Sequence, residues 1–290
     1  MEGQIVKIIS NLYFVESNNE IYRCNSRGNF RNRKITPVVG DYCKFDSKTN
    51  YILDILPRKN YLDRPLVANV DQGLIVTSLK TPLFSTNLLD KLITVLEINN
   101  IKPVICITKE DLLTVDEKEE YKEVIEYYKK IGYQVFYNNE IDKIKEIFKD
   151  KTTVFTGQTG AGKSSLFNKL DPSLNLEVGE VSIALGRGKH TTRVVELIKL
   201  FGGKLVDTPG FSSIDLSIYT GEQIRDSFIE FRNNECLYKD CSHTNEEKDI
   251  CDIKRRVETN DIIPSRYENY LTFLKEERRF YKWKRFLYQF

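Results

Sequence analysis

Gly157-Gln158-Thr159-Gly160-Ala161-Gly162-Lys163-Ser164 is the stretch of this 290-residue chain that decides the fold of its central part. The spacing of its glycines, lysine and serine is that of a P-loop, whose backbone N–H groups and following helix surround phosphate groups. The β-branched and aromatic residues 152–156 predict a strand before it, and the apolar spacing of residues 165–170 predicts a helix that stops at Asp171-Pro172. A strand, a turn and a helix are the context that a P-loop requires, and they argue against a chance glycine-rich turn.

The P-loop assigns a phosphate role to a small set of residues. We expect Lys163 to contact the β and γ phosphates of a nucleotide, and the hydroxyl of Ser164 to bind Mg²⁺. The predicted nucleotide-binding residues of this segment are Gly157, Gln158, Thr159, Gly160, Ala161, Gly162, Lys163, Ser164 and Ser165.

A second phosphate element follows the P-loop. Residues 194–200 and 204–207 are strand-like runs separated by the turn signal Phe201-Gly202-Gly203, which predicts a hairpin. The hairpin places Asp207 at the carboxyl end of a strand, where α/β sheets bind their ligands. We expect Asp207 to support Mg²⁺ and the Gly210 N–H to sense the γ phosphate. In isolation, the Asp-Thr-Pro-Gly sequence here would be only a turn.

A guanine-recognition element precedes both. Thr108-Lys109-Glu110-Asp111 follows an apolar run, residues 103–107, that predicts a buried strand. The Asp111 carboxylate can accept hydrogen bonds from two edge N–H groups of guanine, a donor pair that adenine lacks, and the Lys109 stem can cover the base. Thr108 occupies the position where asparagine is usual, so loss of an amide donor is expected to weaken guanine binding. Without the P-loop, a charged loop would be the simpler interpretation.

The order of these motifs narrows the possible classes of protein more than any single motif does. In an ordinary GTPase the guanine-recognition element comes after the other two, whereas in this chain it comes first. The sequence therefore predicts a central α/β P-loop GTPase domain with circular permutation, as if the domain had been cut and rejoined.

Residues 186–193 are basic, polar and rich in glycine, as expected of a switch segment. We expect Thr192, in preference to Thr191, to complete the Mg²⁺ shell because it directly precedes the arginine that ends the segment. Phe211 stands where many GTPases carry a water-orienting glutamine, so another group must position the attacking water. His190 is the candidate, and a solvated loop side chain is its alternative. The predicted catalytic residues are Lys163, Thr192 and His190, and the predicted Mg²⁺ ligands are Ser164, Thr192 and Asp207.

A second chemical cluster lies near the C-terminus. Three thiolates and one imidazole form a closed tetrahedral set for one structural Zn²⁺: Cys236, Cys241, His243 and Cys251. Disulfides are the alternative for a chain with six cysteines, but no hydrophobic signal sequence opens the chain, and a nucleotide enzyme belongs in a reducing compartment. The remaining cysteines fall in apolar runs and are expected to be buried: Cys24, Cys43 and Cys106.

The first 65 residues differ in composition from the rest. Short β-rich runs divided by Asn, Ser and Gly predict a small barrel of the oligonucleotide-binding (OB) type. Residues 21–40 carry basic side chains and no acidic one, interleaved with Tyr22 and Phe30, which suits single-stranded or irregular RNA. A solvated basic loop is the alternative. The predicted RNA-binding residues are Arg23, Arg27, Arg31, Arg33 and Lys34.

The charge of the whole chain is nearly balanced, with 44 basic and 42 acidic residues, so any nucleic-acid surface must be local. No apolar run approaches the roughly 18 residues of a transmembrane helix, and we expect no membrane partner. Helices are predicted over 85–99, 117–131 and 141–149, and a long helix with a basic end over 265–290.

Together these features resemble the ribosome small subunit-dependent GTPase A family of bacteria. The resemblance rests on the permuted order, Lys-His-Thr-Thr before Asp-Thr-Pro-Gly-Phe, the Cys/Cys-x-His/Cys cluster and the barrel, with further matches at Phe84–Leu92 and Arg266–Tyr270. It implies a cytoplasmic GTPase that acts late in maturation of the small ribosomal subunit, contacts its rRNA and is stimulated by it. Thr108 departs from the family's asparagine, and Val135–Asn139 matches the family's second base-contacting loop only loosely.

We predict an OB-fold RNA-binding domain over 1–65, a circularly permuted GTPase domain over 66–217 and a zinc-binding helical domain over 218–290, in a monomer. Two other classes share parts of this pattern. A P-loop ATPase or kinase would share the phosphate elements but would not need Lys109 and Asp111. A non-hydrolysing RNA-binding scaffold would share the barrel and the zinc module.

Overall fold

The computed structural model describes residues 1–26, 35–174, 176, 195–207 and 214–287, except for the side chains of Asp207 and residues 277–287. A sheet of eleven described strands runs through the molecule, with a barrel at one end and a mostly parallel sheet at the other. Within the described residues, no helix combines the length and the apolar character needed to span a membrane.

The barrel is built from the first five strands. They are β1 (Glu2–Ile9), β2 (Leu12–Ser17), β3 (Glu20–Ser26), β4 (Tyr42–Asp46) and β5 (Tyr51–Ile55). Their order is β1-β2-β3-β5-β4, and β4 pairs back with β1, which closes the barrel. Alternate residues point inward and fill the interior with fully buried side chains: Ile5, Val15, Cys24, Cys43, Phe45 and Ile52. The predicted OB-type barrel is confirmed.

A short ribbon leads from the barrel to the central sheet. β6 (Tyr61–Asp63) and β7 (Leu66–Ala68) pair antiparallel, and Val39 forms an isolated bridge with Val67. The ribbon therefore spans residue 65, where we placed the first domain boundary. The division into three domains stays a prediction.

The central sheet contains six strands with one antiparallel edge. They are β8 (Gln72–Ser78), β9 (Lys102–Thr108), β10 (Gln134–Tyr137), β11 (Thr152–Thr156), β12 (Glu196–Leu200) and β13 (Gly203–Asp207). Their order is β10-β9-β8-β11-β13-β12, and every neighbouring pair except β12 with β13 is parallel. The predicted strands before the guanine-recognition element and the P-loop are confirmed as β9 and β11, and the predicted hairpin is confirmed as β12 and β13. Because parallel strands share one carboxyl edge, the loops after β9, β11 and β13 lie together.

Helices cover this sheet close to the predicted positions. They are α1 (Thr86–Ile98), α2 (Val115–Lys130), α3 (Ile141–Phe148) and α4 (Lys163–Leu170). The side chain of Ser85 accepts a hydrogen bond from the Leu88 N–H and caps α1. Thr114 and Glu117 form a reciprocal capping box, so α2 begins at Val115 rather than at residue 117. The predicted helix over 117–131 did not include this box.

The central sheet continues directly into the barrel. β12 pairs with β1 through Lys7 and Glu196, whose side chains also form an ion pair of 2.6 Å. A second ion pair, between Lys204 on β13 and Glu16 on β2, spans 2.6 Å nearby. These contacts fix the barrel against the edge of the central sheet.

The C-terminal part is helical, as predicted. Its helices are α5 (Gly221–Asp226), α6 (Asp252–Glu258) and α7 (Pro264–Leu287), and the last three residues of the predicted long helix, 288–290, lie outside the described residues. α7 packs against α1 of the central domain. Its aromatic residues Tyr270 and Phe273 pack in the core against Phe228, and Tyr270 also packs against Phe231.

A buried charge cluster joins α7 to the central domain. The guanidinium of Arg266, which is 1% exposed, donates to both oxygens of Glu230 at 2.8 and 3.0 Å and to Asp90 on α1 at 2.7 Å. Tyr128 and Asn269 also donate to Asp90, at 2.5 and 2.6 Å. Burial alone would lower the pKa of Arg266, but the two carboxylates raise it well above its ordinary value. One guanidinium is therefore shared by two buried carboxylates, and each of the three charged groups has a hydrogen-bond partner.

Candidate nucleotide site and metal centre

The loop between β11 and α4 turns sharply across the end of β8. Gly157, Gly160 and Gly162 adopt φ values of +135°, +80° and +94°. A Cβ atom on Gly157 would lie 2.1 Å from the carbonyl oxygen of Val76, so only glycine fits there. The predicted strand, turn and helix are therefore formed, and α4 begins at Lys163.

The Lys163 side chain folds over this loop. Its Nζ donates to the carbonyl oxygens of Gly157 and Gln158, at 2.7 and 2.8 Å. Burial lowers the pKa of Lys163 to about 8. A neighbouring phosphate would favour the charged form of this amine, so both position and chemistry suit a phosphate contact.

The guanine-recognition element is bonded to the P-loop by two of its side chains. The buried Thr108 hydroxyl donates to the carbonyl oxygen of Ala161 at 2.6 Å. Lys109, at φ +60°, donates from Nζ to the carbonyl oxygen of Gly160 at 2.9 Å and to that of Thr81. For Thr108 the sequence predicted only the loss of an amide donor toward the base, and the contact with Ala161 is an additional finding. The expectation of weakened guanine binding stays a prediction.

The other groups that we predict to contact the base lie at the same edge of the sheet. Asp111 is exposed on the short 3-10 turn Glu110–Leu112 that follows β9. The Asn138 N–H donates to the carbonyl oxygen of Ile107 at 2.9 Å, which places the end of the Val135–Asn139 segment beside β9. Both segments can therefore approach a base held next to the P-loop.

The predicted Mg²⁺ ligands are only partly described. Ser164 is 7% exposed at the first turn of α4, while Ser165 is exposed. β11 and β13 are parallel neighbours, so Asp207 ends the strand beside the one that leads into the P-loop. A hydroxyl and a carboxylate are the oxygen ligands that Mg²⁺ prefers, and these two residue types fit the ion. Three further predicted residues lie outside the described residues and stay predictions: His190, Thr192 and Gly210.

The four predicted zinc ligands converge. One ligand atom from each of Cys236, Cys241, His243 and Cys251 lies within 4.8 Å of all the others. His243 Nδ1 is 3.6 Å from the Cys236 sulfur and 3.4 Å from the Cys251 sulfur. Zinc bonds of about 2.0–2.3 Å in a tetrahedron place ligand atoms at similar separations. The cluster could therefore hold one zinc ion, and the other three cysteines are buried elsewhere, as expected.

The loop that carries His243 is held by α7. The Tyr267 hydroxyl donates to the carbonyl oxygen of His243 at 2.6 Å, and the Tyr270 hydroxyl donates to that of Ser242 at 2.6 Å. Glu246 accepts hydrogen bonds from the N–H groups of Ser242 and Thr244, at 2.7 and 2.8 Å. These contacts preset the ligand geometry.

We expect freshly purified protein to contain about one equivalent of zinc, because four ligands close the coordination sphere. Cys251→Ser should lose the metal and lower the melting temperature, since a buried ligand is removed. Metal analysis and thermal unfolding measure both effects. Cys106→Ser, which changes a buried thiol outside the cluster, is the matched control and should keep its zinc. Less than about half an equivalent in the wild type would contradict the prediction.

On the barrel, Arg23 is the only predicted RNA-binding residue within the described residues; Arg27, Arg31, Arg33 and Lys34 lie outside them. Arg23 is exposed on β3, with its guanidinium 5.9 Å from the centre of the Phe14 ring. Tyr22 turns the other way and packs against Phe45 of the interior, with ring centres 5.0 Å apart. The aromatic neighbour of Arg23 is therefore Phe14, which sequence order alone did not indicate.

Comparison with known proteins gives a consistent result. The family model described as RsgA GTPase matches residues 55–217, and the one described as RsgA N-terminal domain matches residues 2–51. A relative from Latilactobacillus sakei, named small ribosomal subunit biogenesis GTPase RsgA, is 46% identical over 97% of this chain and 98% of its own. One of the same name from Enterococcus faecalis is 46% identical over 95% of each chain.

Solved structures agree with these relatives. YloQ, described as a circularly permuted GTPase, is 37% identical, with a TM-score of 0.79 over 96% of this chain and 95% of its own. YjeQ from Thermotoga maritima is 34% identical, with a TM-score of 0.82 over 95% of this chain and 98% of its own. The circular permutation is confirmed, and the protein is a GTP hydrolase rather than an ATPase, a kinase or a non-hydrolysing scaffold. The chain belongs to the RsgA GTPase family.

Proposed function

We propose that this GTPase acts in late maturation of the small ribosomal subunit, in the cytoplasm and as a monomer. The names of its relatives, which describe small ribosomal subunit biogenesis, support the assignment. The observation that carries the proposed site is the pair of hydrogen bonds from Thr108 and Lys109 to the P-loop. They join base recognition and phosphate binding in one unit, although the motifs are reversed along the chain.

In this proposal the site binds GTP from both ends. The N–H groups of the P-loop and Lys163 hold the β and γ phosphates, with Ser165 at the start of the helix behind them. Asp111 accepts hydrogen bonds from the guanine edge, and the Lys109 stem covers the base plane. Burial of Lys163 strengthens its attraction to phosphate because nearby water screens it less.

We assign the Mg²⁺ site to Ser164, Thr192 and Asp207, as predicted from the sequence. The ion, when bound with GTP, neutralises the charge that develops on the phosphates. The Gly210 N–H senses the γ phosphate in this assignment. His190 orients the attacking water, because Phe211 offers no polar group for that role.

The barrel supplies the proposed RNA surface. Arg23 presents its charge beside the Phe14 ring, a combination that suits both phosphate contact and base stacking. Arg27, Arg31, Arg33 and Lys34 follow it in the chain. The zinc ion has a structural role in this proposal, since its four protein ligands leave no position for water.

The proposed function predicts that small ribosomal subunits stimulate multiple-turnover phosphate release from GTP and not from ATP. Reversing Arg31, Arg33 and Lys34 to Glu should weaken subunit binding and reduce the stimulation. Each lost phosphate contact should also flatten the slope of log affinity against log salt by about 0.7–0.9. Phosphate release and subunit binding across a salt series measure these effects.

A matched control reverses three exposed lysines of α2 instead: Lys118, Lys122 and Lys130. It makes the same charge change away from the barrel and should keep the subunit affinity. Wild-type subunit affinity in the barrel variant would remove RNA binding from this surface. Absence of stimulation in the wild type would reject the proposed partner.

A further inference from the structure

One row of backbone-paired residues crosses from the central sheet into the barrel. It runs through Asp207 on β13, Glu196 on β12, Lys7 on β1, Phe14 on β2 and Arg23 on β3. We call these five residues the junction row. Lys7 with Glu196 is the backbone pair that joins β1 to β12, so the two sheets meet at this row.

The row places two acidic residues opposite each other beside the phosphate site. Residues directly opposite in antiparallel strands have Cβ atoms about 4.5–5.5 Å apart, and like charges in that position repel. Glu196 is opposite Asp207, the acid to which we assign Mg²⁺ binding. Without a counter-charge, the Glu196 carboxylate would compete with Asp207 for Mg²⁺.

The barrel provides that counter-charge. The Lys7 ammonium lies 2.6 Å from the Glu196 carboxylate, and the two side chains are only 28% and 26% exposed. Partial burial reduces screening by water and salt, so the pairing is stronger than that of a fully exposed pair. On its other side Lys7 is opposite Phe14, which brings the row to Arg23 and the proposed RNA surface.

We propose that Lys7 is a positioning residue for Mg²⁺-dependent GTP binding, contributed by the barrel. By neutralising Glu196, it prevents a second carboxylate from competing with Asp207 for Mg²⁺ and from repelling the phosphates of GTP. The proposal rests on the proposed role of Asp207. In this proposal the barrel is a part of the nucleotide site rather than a separate domain beside it.

The test measures binding of a fluorescent, non-hydrolysable GTP analogue to the full-length protein across a Mg²⁺ titration. Lys7→Gln should weaken binding at saturating Mg²⁺ by about 3- to 10-fold, the effect of one uncompensated charge near a surface site. Lys7→Arg keeps the ion pair and should bind like the wild type. The double variant Lys7→Gln with Glu196→Gln removes both charges and should recover to within about twofold of the wild type.

Lys204→Gln controls for the loss of an ion pair between the central sheet and the barrel. It breaks the ion pair to Glu16, which also spans 2.6 Å between the central sheet and the barrel, with side chains 25% and 12% exposed. Because Lys204 is outside the junction row, its variant should bind the analogue like the wild type. Equal losses in Lys7→Gln and Lys204→Gln, or no recovery in the double variant, would reduce Lys7 to an interface contact and overturn the proposal.

Asp207→Asn separates this inference from its premise. A large loss of Mg²⁺-dependent binding in Asp207→Asn supports the premise whatever Lys7→Gln shows. Unchanged Mg²⁺ dependence in Asp207→Asn would reject the assignment of Asp207 itself and, with it, the role proposed for Lys7.

Discussion

Asp111→Asn is expected to weaken GTP binding by about 100-fold and to make XTP the preferred nucleotide. A carboxylate that accepts two N–H donors becomes an amide with one acceptor and one donor group, and each charge-assisted bond contributes about 1.5–3 kcal/mol. Xanthine carries a carbonyl oxygen where guanine carries an amino group, so it accepts the bond that the new amide donates. Competition of GTP, XTP and ATP against a fluorescent nucleotide measures the change.

Asp116→Asn provides the control for this specificity change. Asp116 is an exposed acid in the first turn of α2, close in sequence to the 3-10 turn that carries Asp111. Its substitution makes the same change of charge without touching the proposed base contact, so the preference for GTP should stay. If Asp111→Asn also kept that preference, the guanine-recognition element would be wrongly assigned.

Arg266→Leu is expected to destabilise the protein by about 3–5 kcal/mol, the cost of leaving buried charges without their partner. The substitution strands the carboxylates of Asp90 and Glu230 in the core between α1 and α7. Urea unfolding followed by far-UV circular dichroism gives the free energy of unfolding. Comparison of the unfolding free energies of variant and wild type gives the loss.

Two further measurements make this prediction specific. Arg232→Leu breaks the pair with Glu97, in which the arginine side chain is 48% exposed, and should cost no more than about 1 kcal/mol. Burial already raises the pKa of Asp90, and loss of the Arg266 charge should raise it further, so protonation of Asp90 at lower pH relieves part of the penalty. The difference in unfolding free energy between Arg266→Leu and wild type should therefore become smaller as pH falls from neutral toward 5. A loss below about 1 kcal/mol at neutral pH would show that the cluster is not a major source of stability.

The sequence predicted those parts of the protein that depend on neighbouring residues. The P-loop, its strand and helix, the β12–β13 hairpin and the ends of α1 follow from local spacing and capping. The zinc ligands were also identifiable, because all four lie within one short segment. The start of α2 also follows from a local rule, because Thr114 and Glu117 form a capping box that is visible in the sequence.

The parts that sequence could not supply depend on the register between distant segments. The contact of Thr108 with Ala161 spans 53 positions, and nothing local indicates that the hydroxyl faces the P-loop rather than a base. Tyr22 and Arg23 are adjacent in sequence but point to opposite faces of β3, so the alternation of the strand decides which aromatic accompanies the charge. The two carboxylate partners of Arg266 lie 36 positions away, at Glu230, and 176 positions away, at Asp90.

The reversed motif order also determines when each part is completed during synthesis. The last barrel strand ends at Ile55, so the barrel can close while most of the chain is still unmade. β8, in contrast, lies between β9 and β11, and its second neighbour is translated more than 70 positions later. At roughly 5–20 residues per second, Asp207 follows Asp111 out of the ribosome by several seconds. A nascent chain therefore can close its barrel before any nucleotide site exists, and GTP can stabilise only a chain that extends beyond Asp207.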